Sequence, residues 1–174
     1  MPLDYKEYYR RNSPHYQPED SIFAITFRLA NSLPKSVIED LIIEKQIYDD
    51  ECRNKQLSDN AKTQSGFYRK YFEDFDNFLI TNQETPRYLA EAGVADIVKE
   101  SLHHWDDLRY KLIAYCIMPN HVHLMILPLK DNDESFYSLT QIMHSIKSFT
   151  ANKCNKLINN KGKFWANESY DHRI

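Results

Sequence analysis

The chain has 174 residues, 42% hydrophobic and 13% aromatic, with 22 Lys and Arg against 25 Asp and Glu for a net charge of −3. That length and apolar content suit one core and a single domain over 1–174, and the near balance of charge means that bulk electrostatics announce neither a nucleic acid nor a membrane surface. Three scattered cysteines (Cys52, Cys116, Cys154), no CxxC pair, no apolar run of about 18 residues and a polar N-terminus argue against a disulfide framework, a structural zinc site, a membrane span and a secretory leader, so the expectation is a cytoplasmic protein.

In chain order, "SIFAITFRLANS" (Ser21 to Ser32) is rich in aromatic and β-branched residues and reads as a strand at its centre. From Pro34 the apolar residues Val37, Ile38, Leu41, Ile42 and Ile47 fall at helical spacing, with proline at the first turn. The stretch Asp40 to Asn60 is mostly charged and polar. A second helical pattern then puts Phe67, Tyr71, Phe75 and Phe78 on one face, which reads as core. Leu89, Val94, Ile97, Val98 and Leu102 predict a helix from about Arg87 to His104. "YKLIAYCIMPNHVHLMILP" is one apolar run interrupted by Met-Pro-Asn, so it predicts two buried strands joined by a turn. A long helix follows from about Phe136 to Leu157, with Ser135 as N-cap and Leu139, Ile142, Met143, Ile146, Phe149 and Leu157 on its apolar face. This alternation indicates an α+β fold, an antiparallel sheet with helices on one face.

Within "NHVHL", strand alternation sends His121 and His123 to one face and Val122 to the other. Val122 belongs to the core, and the histidines do not. Two imidazoles at that spacing can converge on one divalent cation, although a half-exposed strand carrying His-x-His without metal is the ordinary alternative. His15, His103, His104, His144 and His172 have no comparable arrangement, and the His103-His104 pair near a helix end reads as capping or solvated.

"MPNHVHLMILP" resembles the HUH motif (His, bulky hydrophobe, His) of single-tyrosine transposases, in the branch of the REP-associated tyrosine transposases. "HSIKSFTANKCNKLINNKGKFWANESYDHRI" is similar to that family's following block, a basic helix, Gly-x-x-Trp and an acidic-aromatic-Asp-His stretch. With "FAITFRLA" as first strand, the similarity covers about Ser21 to Leu33 and Leu89 to Ile174, leaving about 51–79 as a variable helical insertion. The resemblance implies a ferredoxin-like fold and metal-dependent transposase and endonuclease chemistry on single-stranded DNA. Mg²⁺ or Mn²⁺ held by His121 and His123 would polarise the scissile phosphate, and a tyrosine would attack phosphorus to leave a 5′-phosphotyrosine. It implies hairpin-forming single-stranded DNA as partner, leaves room for a homodimer, and suggests nucleoid association. The family's nucleophile lies on a helix after the Asp-His block, in a stretch resembling Tyr-Ile-x-x-Asn-Pro, so it is expected beyond Ile174 on a helix truncated from this chain. Tyr170, the only tyrosine in the matching block, is the alternative candidate for the nucleophile, although it precedes that position.

Ser135 to Ile174 carries six Lys and Arg against Glu168 and Asp171, a local +4. Lys147, Lys153, Lys161 and Lys163, with Trp165 as a stacking face, are the expected DNA contacts, against the plainer reading of a solvated basic helix. Two other functions compete: a non-catalytic nucleic-acid-binding module on the same scaffold, and a protein-interaction domain using the acidic stretch Glu39 to Glu51.

Overall fold

Alternation in the strand Phe23–Leu29 places Phe23, Ile25, Phe27 and Leu29 in the core, each at most 1% exposed, and turns Ala24, Thr26 and Arg28 to the opposite face. The computed structural model describes residues 8–10, 14–16, 19–54, 61–82 and 84–174. The elements run β1 Tyr8–Arg10, β2 Pro14–Tyr16, β3 Phe23–Leu29, α1 Lys35–Asn54, α2 Ala61–Thr81, α3 Ala92–His104, β4 Tyr110–Ile117, β5 His121–Pro128, α4 Leu139–Leu157 and β6 Trp165–Arg173.

β1 and β2 form a small antiparallel hairpin, and the main sheet has the order β4-β5-β3-β6 with every neighbour antiparallel. Its strands follow the sequence strand, helix, strand, strand, helix, strand, with the first and third at the centre, which is the ferredoxin-like topology. α3 and α4 pack on one face, where Val94, Val98, Leu102, Leu139, Ile142 and Ile146 meet the inward residues of β3 and β5. The chain divides into two compact units, 1–30 with 86–174, and 31–85. The helical insertion expected over 51–79 falls within the second, built of α1 and α2, where Tyr48 and Phe67 stack in parallel with ring centres 3.8 Å apart. Residues 55–60 of the polar stretch lie outside the described residues.

Several expectations need correction. β6 was not anticipated, because "WANESYDHR" is mostly polar and lacks the alternation that marks a strand. The β4–β5 hairpin is buried only in part: β4 is an edge strand whose outward residues, Ile113 among them, remain exposed. α4 is capped by Ser138, not Ser135, through a reciprocal capping box with Gln141. Phe149 and Leu157 are about half exposed, as are Ile47 and Phe78, because each lies at the margin of its helix's apolar stripe.

The β3–β6 register breaks between Phe27↔Ser169 and Leu29↔Trp165, so β6 bulges through Ala166, Asn167 and Glu168. Carbonyls lost from a ladder need other donors. The Lys147 ammonium supplies them, donating to the carbonyls of Ala166, Asn167 and Glu168 at 3.1, 3.3 and 3.3 Å. Trp165 fixes the strand's start: it is 4% exposed, lies edge-on to Phe27 and Phe164, and donates its indole N–H to Thr150 Oγ1 at 2.8 Å. Replacing Lys147 with Met should therefore destabilise the protein by about 1–3 kcal/mol in urea unfolding. An unchanged midpoint would show that the ammonium does not hold the bulge.

Candidate metal and nucleic-acid site

The turn before β5 is tied to three parts of the fold. Met118 N–H donates to His121 O at 2.9 Å, Leu29 N–H to Asn120 O at 2.8 Å, and Leu89 N–H to Pro119 O at 3.1 Å. Pro119 and Asn120 thus set where β5 begins, and the 3%-exposed Asn120 side chain lies against His121. β3 and β5 then pair Thr26 with His123 and Arg28 with His121, so these four residues share one face, opposite the core.

On that face the side chains form a continuous line. His121 Nδ1 lies 2.7 Å from Asn120 Oδ1, His121 Nε2 lies 3.0 Å from His123 Nε2, and His123 Nδ1 lies 2.9 Å from Thr26 Oγ1. An amide oxygen only accepts, so His121 Nδ1 donates and its Nε2 presents a lone pair toward His123. Burial, with the charge of His123 as a smaller contribution, pushes the His121 imidazole down to about 4, so it is neutral at pH 7. The expectation that neither histidine belongs to the interior is corrected for His121, which is fully buried.

This donor set fits a divalent cation. Two ligand nitrogens on adjacent vertices of an octahedron with bonds of about 2.1 Å are about 3.0 Å apart, the separation of the two Nε2 atoms. Ligating imidazoles ordinarily donate their other N–H to a carbonyl or similar acceptor, which fixes the tautomer, and Asn120 does this for His121.

The other predicted residues separate into groups. Tyr170 pairs with Thr26 across the β3–β6 ladder, which puts it on the histidine face two strands from β5, about 10 Å away. Its ring is tilted against His172 at 5.9 Å. Lys161 and Lys163 are exposed on the loop between α4 and β6. That loop is joined to the histidine end of the sheet, because Ala30 N–H donates to Phe164 O and Leu29 N–H to Asn120 O. Lys153 is exposed near the end of α4, 5.8 Å from the Phe149 ring. Two assignments are corrected. Trp165 has no ring face left for a base, and the Lys147 ammonium is taken up by the β6 bulge.

Asn120 and Thr26 escaped the sequence reading. Asn120 read as a turn residue, and the polar break Thr26 makes in the apolar strand was its only signal. His103 sits at the end of α3 as expected, with Nε2 3.2 Å from Tyr115 Oη.

A family model described as IS200-like transposase matches residues 79–173, more than half of the chain. No curated protein matches the sequence. Among solved structures, the chain is similar to a REP-associated tyrosine transposase bound to a REP hairpin, at 12% identity and a TM-score of 0.48 over 95% of this chain. The chain spans 61% of the length of that protein. Among the described residues, no helix is long and apolar enough to cross a membrane.

Two outcomes follow from the hydrogen-bonded line. Asn120→Ala should weaken Mn²⁺ binding about 10- to 100-fold in calorimetry while the fold persists, and unchanged affinity would remove Asn120 from the site. In chelator, the unfolded chain protonates His121 near 6.5 whereas the folded chain resists until about 4, so stability should be full above 6.5 and fall as pH drops toward 4. His121→Gln should flatten that window, and an equal slope in both proteins would contradict the assignment.

Proposed function

Starting from the membership of this chain in the IS200-like transposase family, we propose that it is a DNA-cleaving and DNA-joining domain that acts on single-stranded DNA. The observation that carries this reading is the 3.0 Å approach of His121 Nε2 and His123 Nε2, with each outer nitrogen hydrogen-bonded. When bound, a divalent cation would draw charge from a phosphoryl oxygen and fix the diester for in-line attack. Two imidazole donors suit Mn²⁺ better than Mg²⁺, which prefers all-oxygen ligation. Asn120 and Thr26 hold the imidazoles in the ligating tautomer and orientation. Lys153, Lys161 and Lys163 draw the DNA backbone to the histidine end of the sheet.

The attacking group we propose is a tyrosine C-terminal to Ile174. Its oxygen bonds to phosphorus as the bond to the 3′-oxygen breaks, its proton leaves, and the 3′-oxygen takes up a proton. The resulting 5′-phosphotyrosine retains the diester's energy, so strands can be rejoined by the reverse reaction. A hairpin-forming substrate and a homodimer belong to the same proposal.

Two experiments test it. A chain extended through the native sequence after Ile174 should form a denaturation-resistant adduct with single-stranded DNA in Mn²⁺ or Mg²⁺. The adduct should be lost with His121→Ala or His123→Ala and kept with Tyr170→Phe. If the 174-residue chain already forms the adduct and Tyr170→Phe abolishes it, Tyr170 is the nucleophile; DNA binding equally strong in chelator, with no adduct from the extended chain, would favour the non-catalytic module.

Binding should also weaken steeply with salt, and Lys161→Glu with Lys163→Glu should lower affinity and flatten the salt slope by about two contacts. Salt-independent binding would contradict the proposed role of the basic loop.

A further inference from the structure

We propose that Tyr88 is a stacking platform for a base of single-stranded DNA at the end of the sheet where β5 begins. The inference rests on the proposed function, since it takes single-stranded DNA as the ligand. Tyr88 opens a 3₁₀ turn, Tyr88–Ala90, that leads into α3. The turn is fastened beside the histidine strand, because the next residue, Leu89, donates its N–H to Pro119 O at 3.1 Å. The Leu89 side chain is buried, so the turn cannot swing away without exposing core.

The Tyr88 ring is the outer end of an aromatic chain that starts in the core. Phe27 lies edge-on to Trp165 at 4.8 Å, Trp165 lies edge-on to Phe164 at 4.8 Å, and Tyr88 stacks on Phe164 at 6.2 Å with the two planes 23° apart. Phe27, Trp165 and Phe164 are buried, whereas Tyr88 is half-buried. One side of the Tyr88 ring is thus fixed on Phe164, and part of the ring stays open to solvent. A ring held in this way has little freedom left to lose on binding, and every base has a π-face to lay against it.

Cations flank the ring in both segments that meet at it. Arg87 precedes Tyr88, and Lys161 and Lys163 lie on the loop that ends at Phe164; all three are exposed, and among the described residues none of them is in an ion pair. From 135 to 167 the sequence contains no acid, and from Arg87 to Ala95 it contains only Glu91. The loop shares the anchorage of the site, since Ala30 N–H donates to Phe164 O at 2.8 Å, next to the bond from Leu29 N–H to Asn120 O. A half-open ring among such cations matches a strand that offers phosphates and unpaired bases together. Duplex DNA, with its bases stacked inside, could use only the cations.

The test uses the whole chain in chelator, with a thymidine oligonucleotide and an abasic oligonucleotide of the same length as probes, each followed by fluorescence anisotropy. Wild type should bind the thymidine strand more tightly. Tyr88→Leu, which keeps an apolar side chain against Phe164, should lower affinity for the thymidine strand about ten-fold and leave the abasic strand unchanged, whereas Tyr88→Phe should match wild type on both. Equal effects of Tyr88→Leu on the two strands, or none on either, would overturn the proposal, because a residue that only supports the fold cannot tell a strand with bases from one without. Should Tyr88→Leu not fold, photo-cross-linking of wild type to a strand carrying 5-iododeoxyuridine decides: a cross-link at Tyr88 supports stacking, and its absence there rejects it. Wild type that binds neither strand would bring down the single-stranded DNA reading itself, and this inference with it, an outcome distinct from tight binding with Tyr88 indifferent.

Discussion

Two imidazole nitrogens can face one another at 3.0 Å only when one carries a proton for the other's lone pair or when a metal ion bridges both lone pairs. The tautomer imposed on His121 by Asn120 directs a lone pair into that gap, and the fully buried setting keeps the ring neutral. Much of the unit formed by 1–30 and 86–174 serves to hold this gap. The turn at Pro119 and Asn120 is bonded to the end of β3 and to the short 3₁₀ turn before α3, and the β3–β5 register brings Thr26 opposite His123. A slip of one residue in that register would exchange the histidines with Val122 and Leu124, placing imidazoles in the core and aliphatic groups at the site.

The basic block after Ser135 divides according to what the fold demands. Lys147 and Trp165 are drawn inward, one satisfying carbonyls released by the β6 bulge and the other filling the core beside Phe27 and Phe164. Lys153, Lys161 and Lys163 are left outside, the last two on the loop tied to the end of the sheet where β5 begins. A linear count of charge could not separate these two roles, because Lys147 and Lys153 lie on the same helix, and only the path of β6 decides which cation meets carbonyls and which meets solvent.

Elements with strong periodicity were legible in the sequence. β3, α1, α2, α3, the β4–β5 hairpin and α4 follow the spacing of their apolar residues, and His-x-His on a strand fixed the shared face of His121 and His123. β6 was hidden because its polar residues alternate weakly and its pairing depends on β3 and on Lys147, both distant in sequence. Asn120 and Thr26 were hidden for a related reason. Each acquires its meaning from a cross-strand partner or an adjacent ring, and register cannot be read from one strand alone. Ser138 took the cap from Ser135 because Gln141, three residues on, completes a reciprocal pair with it.

The most direct measurement of the central claim is anomalous scattering from crystals of this chain grown with Mn²⁺. The account predicts one strong peak between His121 and His123, about 2.1–2.2 Å from each Nε2, with Asn120 Oδ1 still accepting from His121 Nδ1. Mn²⁺ bound elsewhere, with the two Nε2 atoms still about 3.0 Å apart and no peak between them, would mean that a proton occupies the gap and that the pair is structural.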